Sequence, residues 1–330
     1  MIPLFLIAGT SESLAREKSL RIELQNDLFF RSDNQFTNGL SAVLSSPPEA
    51  SLELTGGTPA FGKSLFGWML PDDGNLTWRE SWTIGQNLQT PDNISTERLI
   101  LDDVPYIGML GWGNSFYGFN DSEFWGVQWL FGWVGEPALG EEGQSTIHNL
   151  LGSENPDGWD NQLDFEPLLN VYFSRKHKLV RKSWFDVAVT GDLAAGNFFT
   201  YVQPGLEFRL GNLPEGFTFL PGPVGRNLDY DAVLNPSPQH RFYASATLRF
   251  THFLWALPRE GNLLVDNTWT DDNVIDIERN VGQAVFGLHW EGRDWGAHLS
   301  FWVSTDTIAD VNGQTDRDNS FGALMLERRF

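Results

Sequence analysis

Apolar and polar residues alternate through one segment of the chain after another, and this alternation limits the possible folds more than any other feature. Leu20, Ile22 and Leu24 fall on one face of an extended segment, with polar residues between them. The same period of two recurs in residues 242–250 and 297–303. Segments of about ten residues with one apolar and one polar face are typical of a transmembrane β-barrel with a wet interior. A soluble β-sandwich also alternates, but its apolar faces must bury each other.

Twelve segments of the chain have this character. They are residues 19–30, 36–46, 79–90, 106–119, 122–134, 165–177, 183–193, 197–211, 240–252, 275–290, 294–308 and 318–330. An even number of strands lets a barrel close with both termini on the periplasmic side. The last strand ends on Phe330, an aromatic end that is common in the closing strand of bacterial outer-membrane proteins. We therefore predict an all-β fold, a twelve-stranded antiparallel transmembrane barrel that forms a single domain over residues 16–330.

The first fifteen residues fit export from the cytoplasm. A brief apolar run, residues 2–8, is followed by small and polar residues up to Ala15, which resembles the end of a signal peptide without its basic start. No later segment approaches the roughly 18 uninterrupted apolar residues that a spanning helix requires. These features predict the outer membrane of a Gram-negative bacterium as the location.

Charge and cysteine content exclude some partners and ligands. The net charge of −21 argues against a nucleic-acid partner, because phosphate binding needs a basic surface. An acidic protein that meets anionic lipid needs a divalent cation between the two. Without cysteine, neither disulfides nor thiolate metal sites can form, so any metal is held by oxygen or imidazole.

One short helix interrupts the strand pattern. Glu141 and Glu142 precede an apolar run that Gly152 ends, which predicts two or three helical turns. Gln144 and His148 are four residues apart and share a face, and Glu154 follows just beyond the helix. With a periplasmic N-terminus the helix lies in the extracellular connection 135–164. This is either a catalytic cluster or a surface helix with a solvated polar face.

The end of the first strand and the start of the second carry a second polar group. Strand parity places Asp27 and Thr37 on the inward face, whereas Asn26 has the opposite parity unless a bulge or the strand end turns it. A short outer loop between the strands brings these residues to the mouth of the barrel, near the loop that carries His148. Turn chemistry alone also explains an Asn-Asp pair beside a loop. Two long inner connections, 47–78 and 212–239, have no assigned role.

Several motifs together resemble the LpxR-type lipid A deacylases. They are Asn26-Asp27, Phe36-Thr37-Asn38-Gly39, Gly85-Gln86 with Thr90-Pro91, Pro105-Tyr106 with Gly108, Gly135 with Pro137-Ala138, Gln144 with His148 and Glu154, and Gly158-Trp159 with Gln162. The order and spacing match in motifs over residues 19–177 and in strand pattern beyond. The resemblance implies a twelve-stranded barrel that uses calcium to hydrolyse the 3′-acyloxyacyl ester of lipid A, with lipopolysaccharide and outer-membrane lipids as partners. We expect a monomer.

The resemblance also implies roles for single residues. His148 corresponds to the general base, and its unperturbed pKa near 6.5 suits proton transfer from an attacking water. Asn26, Asp27 and Glu154 correspond to positions that organise Ca²⁺ and the base, with Asp27 and Glu154 as the expected metal ligands. Which carboxylate binds the metal and which orients the imidazole stays open. Thr37 and Gln144 correspond to polar residues that line the same site.

Two departures from the family pattern bear on the substrate. Characterised deacylases of this type have a basic pair shortly after the Thr-Pro motif, suited to a lipid A phosphate, whereas here only Arg98 is basic. The arginine often found before the Pro-Tyr pair is replaced by Val104. The lipid that is hydrolysed is therefore left open.

Two other functions remain as alternatives. An outer-membrane phospholipase would need a serine nucleophile with a histidine, and Ser145 is only a weak candidate. A catalytically silent barrel, serving as a pore or structural protein, is the third hypothesis. The remaining histidines have no metal-ligand spacing, and we interpret them as structural. They are His177, His240, His252, His289 and His298.

Overall fold

A computed structural model describes residues 18–27, 36–71, 74–151, 156–218, 233–234, 240–309 and 319–330. The expected signal segment 1–15 and the site candidate Glu154 lie outside these described residues.

Twelve antiparallel strands form a closed barrel. They are β1 Ser19–Asn26, β2 Phe36–Ser45, β3 Thr77–Gln89, β4 Ile107–Phe119, β5 Glu123–Val134, β6 Glu166–Arg181, β7 Phe185–Gly196, β8 Phe199–Gly211, β11 Arg241–Ala256, β12 Asn280–Glu291, β13 Trp295–Ser304 and β14 Ser320–Arg329. Each strand pairs with its neighbour along the chain, and β1 pairs with β14 to close the sheet. Two short strands, β9 Glu215–Gly216 and β10 Val233–Leu234, pair separately. All twelve predicted strands are confirmed.

Some strand bounds differ from the prediction. β6 continues to Arg181 and β11 to Ala256, beyond the predicted ends at 177 and 252. β12 begins at Asn280, five residues after the predicted start at 275. Pairing with the neighbouring strand extends these two ends, since Arg181 pairs with Asp186 of β7 and Ala256 pairs with Phe199 of β8.

The two faces of the wall have the polarity of a membrane barrel. On β1, Leu20, Ile22 and Leu24 are 38 to 44% exposed, whereas Arg21 and Glu23 are 1% and 4% exposed. Apolar side chains therefore face outward, and polar ones face the lumen, as a barrel in lipid requires.

Charged side chains in the lumen are held in pairs. Arg209 donates from Nε and Nη2 to the two carboxylate oxygens of Asp186, at 2.9 and 2.5 Å. Lys176 Nζ lies 2.7 Å from Glu207 Oε2. Buried charges need partners of this kind because an uncompensated charge in a low-dielectric interior is costly.

The connection between β2 and β3 packs on the outer face of the wall. Its helix α1 (Ala60–Phe66) lies against Trp129 of β5, whose indole is 5.9 Å from the Phe61 ring. The Thr58 backbone N–H donates to Glu80 Oε2 of β3 at 2.7 Å. Trp68, which follows the helix, is 79% exposed. The first long inner connection therefore covers the lower outer surface of β3–β5 and presents aromatic side chains outward.

Helix α2 (Gly140–Leu151) is the predicted helix, and two shorter helices, α3 (Leu257–Glu260) and α4 (Thr268–Asp272), follow β11. No helix within the described residues is both long and apolar enough to cross a membrane.

Candidate active site at the upper rim

The rim where β1 ends and β2 begins, called the upper rim here, also carries α2. The chain reaches the helix through Gly135 and Leu139, whose φ angles are +98° and +57°. Positive φ is unfavourable for leucine, so surrounding contacts must hold this turn in place. One contact is the bond from the Gly135 backbone N–H to the Gly108 carbonyl at 3.0 Å. The segment that leads into α2 is thus fixed to the beginning of β4.

Helix α2 lies against the outer face of the wall and not in the lumen. Gln86 shares its face of β3 with Ile84, which is 57% exposed on the outside. The Gln86 Nε2 donates to the carbonyls of Ala138 and Leu139 at 2.7 and 2.9 Å. A Cβ on Gly108 would come within 3.0 Å of Gly140 Cα, so strand and helix meet through two glycines.

Trp159 holds the helix from the far side. Its Nε1 donates to Gln144 Oε1 at 2.8 Å, and its ring meets that of Tyr106 edge-on at 5.1 Å. Burial raises the pKa of the Tyr106 phenol to about 12, with a smaller contribution from the Asp157 carboxylate, so the phenol is neutral at physiological pH. Gln144, 2% exposed, is therefore committed to positioning the helix.

The direction of α2 carries His148 towards β1. Gly140 lies against Gly108 of β4. Gly143 lies over Gln86 of β3, where a Cβ added to Gly143 would be 2.9 Å from Gln86 Oε1. The helix therefore crosses β4 and then β3, in the direction of β2. His148 is eight residues beyond Gly140, about 12 Å along the axis at 1.5 Å per residue. Three strand spacings of about 4.8 Å, roughly 14 Å, separate Gly108 from the β1 residue in its row.

That row of paired residues ends at Asn26. Asn26 pairs with Asn38, Asn38 with Leu88, and Leu88 with Gly108, so all four occupy the outer face. Asn26 and Asn38 are only 8% and 5% exposed on this face. Two buried amides thus stand where the neighbouring outward positions of β1 and β2 carry leucine or isoleucine. The axis of α2, extended from β4 over β3, points His148 towards them.

Asn26 keeps its outward parity, and no bulge in β1 turns it inward. Its Nδ2 donates to the Thr37 carbonyl at 2.9 Å, which fixes the amide across the hairpin. The register of β2 against β3 shifts at Thr37, whose Oγ1 lies 2.9 Å from Thr90 Oγ1. Asp27, 6% exposed, follows directly. The predicted site residues Asn26, Asp27 and Thr37 therefore lie together at the rim, and Asn26 faces outward instead of into the lumen.

The described part of the site offers oxygen ligands of the kind that Ca²⁺ prefers. Asp27 supplies a buried carboxylate, and the Asn26 amide is anchored through its nitrogen. Among the described residues, no group of three or more His, Asp or Glu side chains could hold a metal, and Glu154 is not among them. The donor chemistry fits a hard cation, and the roles of Asp27 and Glu154 stay predictions.

The sequence motifs included several residues whose role only the structure reveals. Gln86, Gly108 and Trp159 hold α2 to the wall through contacts between distant positions. A serine–histidine pair also exists where spacing gave no signal. Ser245 Oγ lies 2.8 Å from His289 Nε2, and His289 Nδ1 lies 2.9 Å from His298 Nδ1. All three are buried in the lumen towards the lower rim, whereas Ser145 is half-buried within α2.

We expect Gln86→Ala to loosen α2, because the carbonyls of Ala138 and Leu139 lose their donor. Loss of these bonds costs about 1–3 kcal/mol, which raises the undocked fraction roughly 5-fold to 150-fold. The rate of protease cleavage within residues 135–165 measures this. Ile84→Ala, on the same face of β3, is the control and should leave cleavage unchanged. Equal cleavage in both variants would contradict the anchoring role of Gln86.

A transmembrane β-barrel with a helix fixed to its outer wall at the upper rim is the class of protein that the fold and site define. The chain belongs to the family described as outer membrane protein LpxR, whose pattern it matches over residues 1–330. Family and fold together place it in the outer membrane of a Gram-negative bacterium. The resemblance found in the motifs is confirmed.

A solved structure with the family's name supports the fold. LpxR from Salmonella typhimurium superimposes with a TM-score of 0.71 at 17% identity, covering 94% of this chain and 100% of that one. The β domain of the Bordetella autotransporter BrkA gives a TM-score of 0.42 at 8% identity, covering 95% of this chain and 97% of that one. No match is found among curated protein sequences.

Proposed function

We propose that this protein is a calcium-dependent hydrolase that removes the ester-linked 3′-acyloxyacyl group of lipid A at the outer leaflet of the outer membrane. Family membership supports lipid A deacylation in general. The observation that supports the proposal is the outward row that ends in the buried amides Asn26 and Asn38, on the same face of the wall as α2. A site on the lipid-facing side of the wall is reachable by a lipid whose chains stay in the bilayer.

In this proposal His148 accepts the proton of the attacking water, as a neutral imidazole can near neutral pH. Gln144 positions the helix through its bond with Trp159. Asn26 is oriented by its bond to the Thr37 carbonyl, so its Oδ1 is presented in a fixed direction. General base catalysis of this kind contributes about 10²–10⁴-fold to a rate.

Asp27 and Glu154 would hold the calcium ion, with Asn26 as a neutral oxygen donor. When bound, the ion supplies a Lewis acid that polarises the ester carbonyl and stabilises the developing oxyanion. The rest of the chemistry falls to the protein side chains.

The protein departs from the family pattern at the positions that would contact the phosphate groups of the substrate. Val104 is fully buried, so a basic side chain in its place would not reach a phosphate without rearrangement. Arg98 lies in an exposed loop, where its backbone N–H bonds Thr96 Oγ1 at 3.2 Å. The reaction therefore depends less on phosphate contacts in this part of the chain.

Expression in the outer membrane of a host with ordinary hexa-acylated lipid A tests the proposal. The lipid A mass spectrum should lose one acyloxyacyl unit. An unchanged spectrum from a folded, heat-modifiable barrel in calcium would overturn lipid A as substrate and favour a silent barrel or another ester. Resistance to serine-directed phosphonates separates the proposal from a serine phospholipase.

Removal of calcium is expected to abolish the activity. With purified barrel and lipid A in detergent, a calcium chelator should lower the rate by about 10²-fold or more, since it removes the stabilisation of the oxyanion. Added Ca²⁺ should restore the rate, and Mg²⁺ should restore less because it demands a tighter octahedral site. Full activity after exhaustive chelation would contradict the metal role of Asp27 and Glu154.

A further inference from the structure

An apolar cavity of about 110 Å³ lies inside the barrel near the upper rim. Inward side chains of strands on opposite sides of the lumen form its wall. Among them are Ile107, Met109, Phe199, Phe253, Trp302 and Phe321. Barrel interiors are typically polar, as the lower lumen is here, so a chamber whose surface is mostly apolar needs a reason.

One cation lies on this apolar wall. Arg259 of α3 lines the cavity, with its guanidinium carbon 4.6 Å from the centre of the Phe253 ring. The side chain as a whole is partly exposed, but its Nη1 is buried and has no hydrogen-bond partner among the described residues. Burial lowers the pKa of Arg259 to about 10, an effect that the neighbouring Glu260 carboxylate partly offsets, so the guanidinium stays charged at neutral pH.

The nearest carboxylate is already engaged elsewhere. Glu260 Oε1 pairs with Arg279 Nη2 at 2.6 Å, and its Oε2 accepts from the Ala256 backbone N–H at 3.2 Å. Glu260 thus pairs with Arg279, and no Asp or Glu in the described part of the chain lines the cavity. A buried donor without a partner on a charged group is costly, which favours an anionic ligand.

Two amides on the wall add hydrogen-bonding capacity. Asn87 Oδ1 and Asn319 Oδ1 are buried and have no hydrogen-bond partner within the described ranges. An amide that rotates about its last bond presents NH₂ in place of oxygen, so both can donate to an anion beside Arg259.

We propose that this cavity binds the carboxylate end of a fatty acid, with the carboxylate on Arg259 and the first methylenes against Phe253 and Trp302. An apolar cavity of roughly 150 Å³ accepts benzene, so this one holds only a short apolar segment and a longer chain extends beyond it. Leu88 of the outward row borders the cavity, but Asn26, Gln86 and Gly108 face the other side of the wall, so the cavity is distinct from the candidate active site. It does not depend on the proposed hydrolysis.

Titration with a soluble short-chain acid tests the site. Purified barrel in detergent should bind hexanoate saturably. Bound 6-bromohexanoate should quench the tryptophan fluorescence of the wild type, and this quenching should be lost in Trp302→Phe. Hexan-1-ol, which lacks the charge, should bind about ten-fold more weakly or worse. Arg259→Met should lose at least about ten-fold in hexanoate affinity and keep its affinity for hexan-1-ol.

Controls keep the result interpretable. Arg259→Met removes a charge that has no carboxylate of its own, so heat-modifiability should be unchanged and a folding defect is not expected. Arg293→Met alters an exposed arginine beside Asp294 and should bind hexanoate like the wild type. Equal hexanoate affinity in wild type and Arg259→Met, or no saturable binding to wild type, would overturn the proposal.

The origin of the ligand is a separate readout. Fatty acid extracted from purified wild type but not from His148→Ala would identify the product of ester hydrolysis as the source. Fatty acid in both preparations would identify free fatty acid of the membrane, and the site would stand even if the hydrolysis proposal failed. Fatty acid in equal amounts in wild type and Arg259→Met would contradict the site itself.

Discussion

Replacing His148 with alanine is expected to reduce lipid A deacylation by about 10²–10⁴-fold while the barrel folds normally. This is the usual contribution of a positioned general base. His148 is half-buried in the last turn of α2, outside the paired strands of the barrel, so its truncation leaves the strand pairing intact. The rate is measured with purified protein and lipid A in detergent with Ca²⁺, by mass spectrometry of the products.

The control is His252→Ala. His252 is exposed on β11, where its Nδ1 lies 2.9 Å from Asn280 Oδ1, on the part of the barrel opposite α2. Its activity should match the wild type. If His148→Ala retains full activity, then His148 is not the base and the proposal must place proton transfer elsewhere. If the two variants lose activity equally, the loss reflects damage to the barrel.

Much of the fold was accessible from the sequence because strand geometry is local. Successive side chains on a strand point to opposite faces, so apolar residues at every second position define both the strand and its lipid-facing side. The same rule gives Asn26 the parity of the outer face unless a bulge or the strand end turns it. Asn26 keeps its register with Asn38 to the end of β1, so the first of these alternatives holds.

The docking of α2 was not accessible, because it depends on contacts between distant positions. Gln86 and Ala138 are 52 residues apart, and no local pattern signals that a glutamine on a membrane-facing strand will bind two carbonyls of a later loop. Motif order alone could not distinguish a helix inside the mouth from one outside the wall. The packing of α1 on Trp129 was missed for the same reason.

The close contact between Gly108 of β4 and Gly140 of α2 leads to the second large predicted effect on activity. Gly140→Ala is expected to lower deacylation by about 10²-fold, because a displacement of about 1 Å in a catalytic group can cost that much. A Cβ at position 140 would lie 2.5 Å from two atoms of the Trp159 ring. That ring cannot easily move, since its Nε1 is bonded to Gln144 and its face meets Tyr106. The helix must shift instead, and His148 moves with it.

Helix propensity alone predicts that Gly140→Ala stabilises α2, which is the opposite of the loss expected from the clash with Trp159. Alanine forms helix more readily than glycine by up to about 1 kcal/mol, so α2 itself should be no less stable. Gly191→Ala in β7, where a Cβ meets nothing within 4 Å, is the matched control and should keep activity within about two-fold. A Gly140→Ala enzyme as active as this control would mean that the distance between helix and wall does not set the position of His148. Loss of activity together with faster proteolysis of residues 135–165 would show that the close approach of two glycines holds the base over the rim.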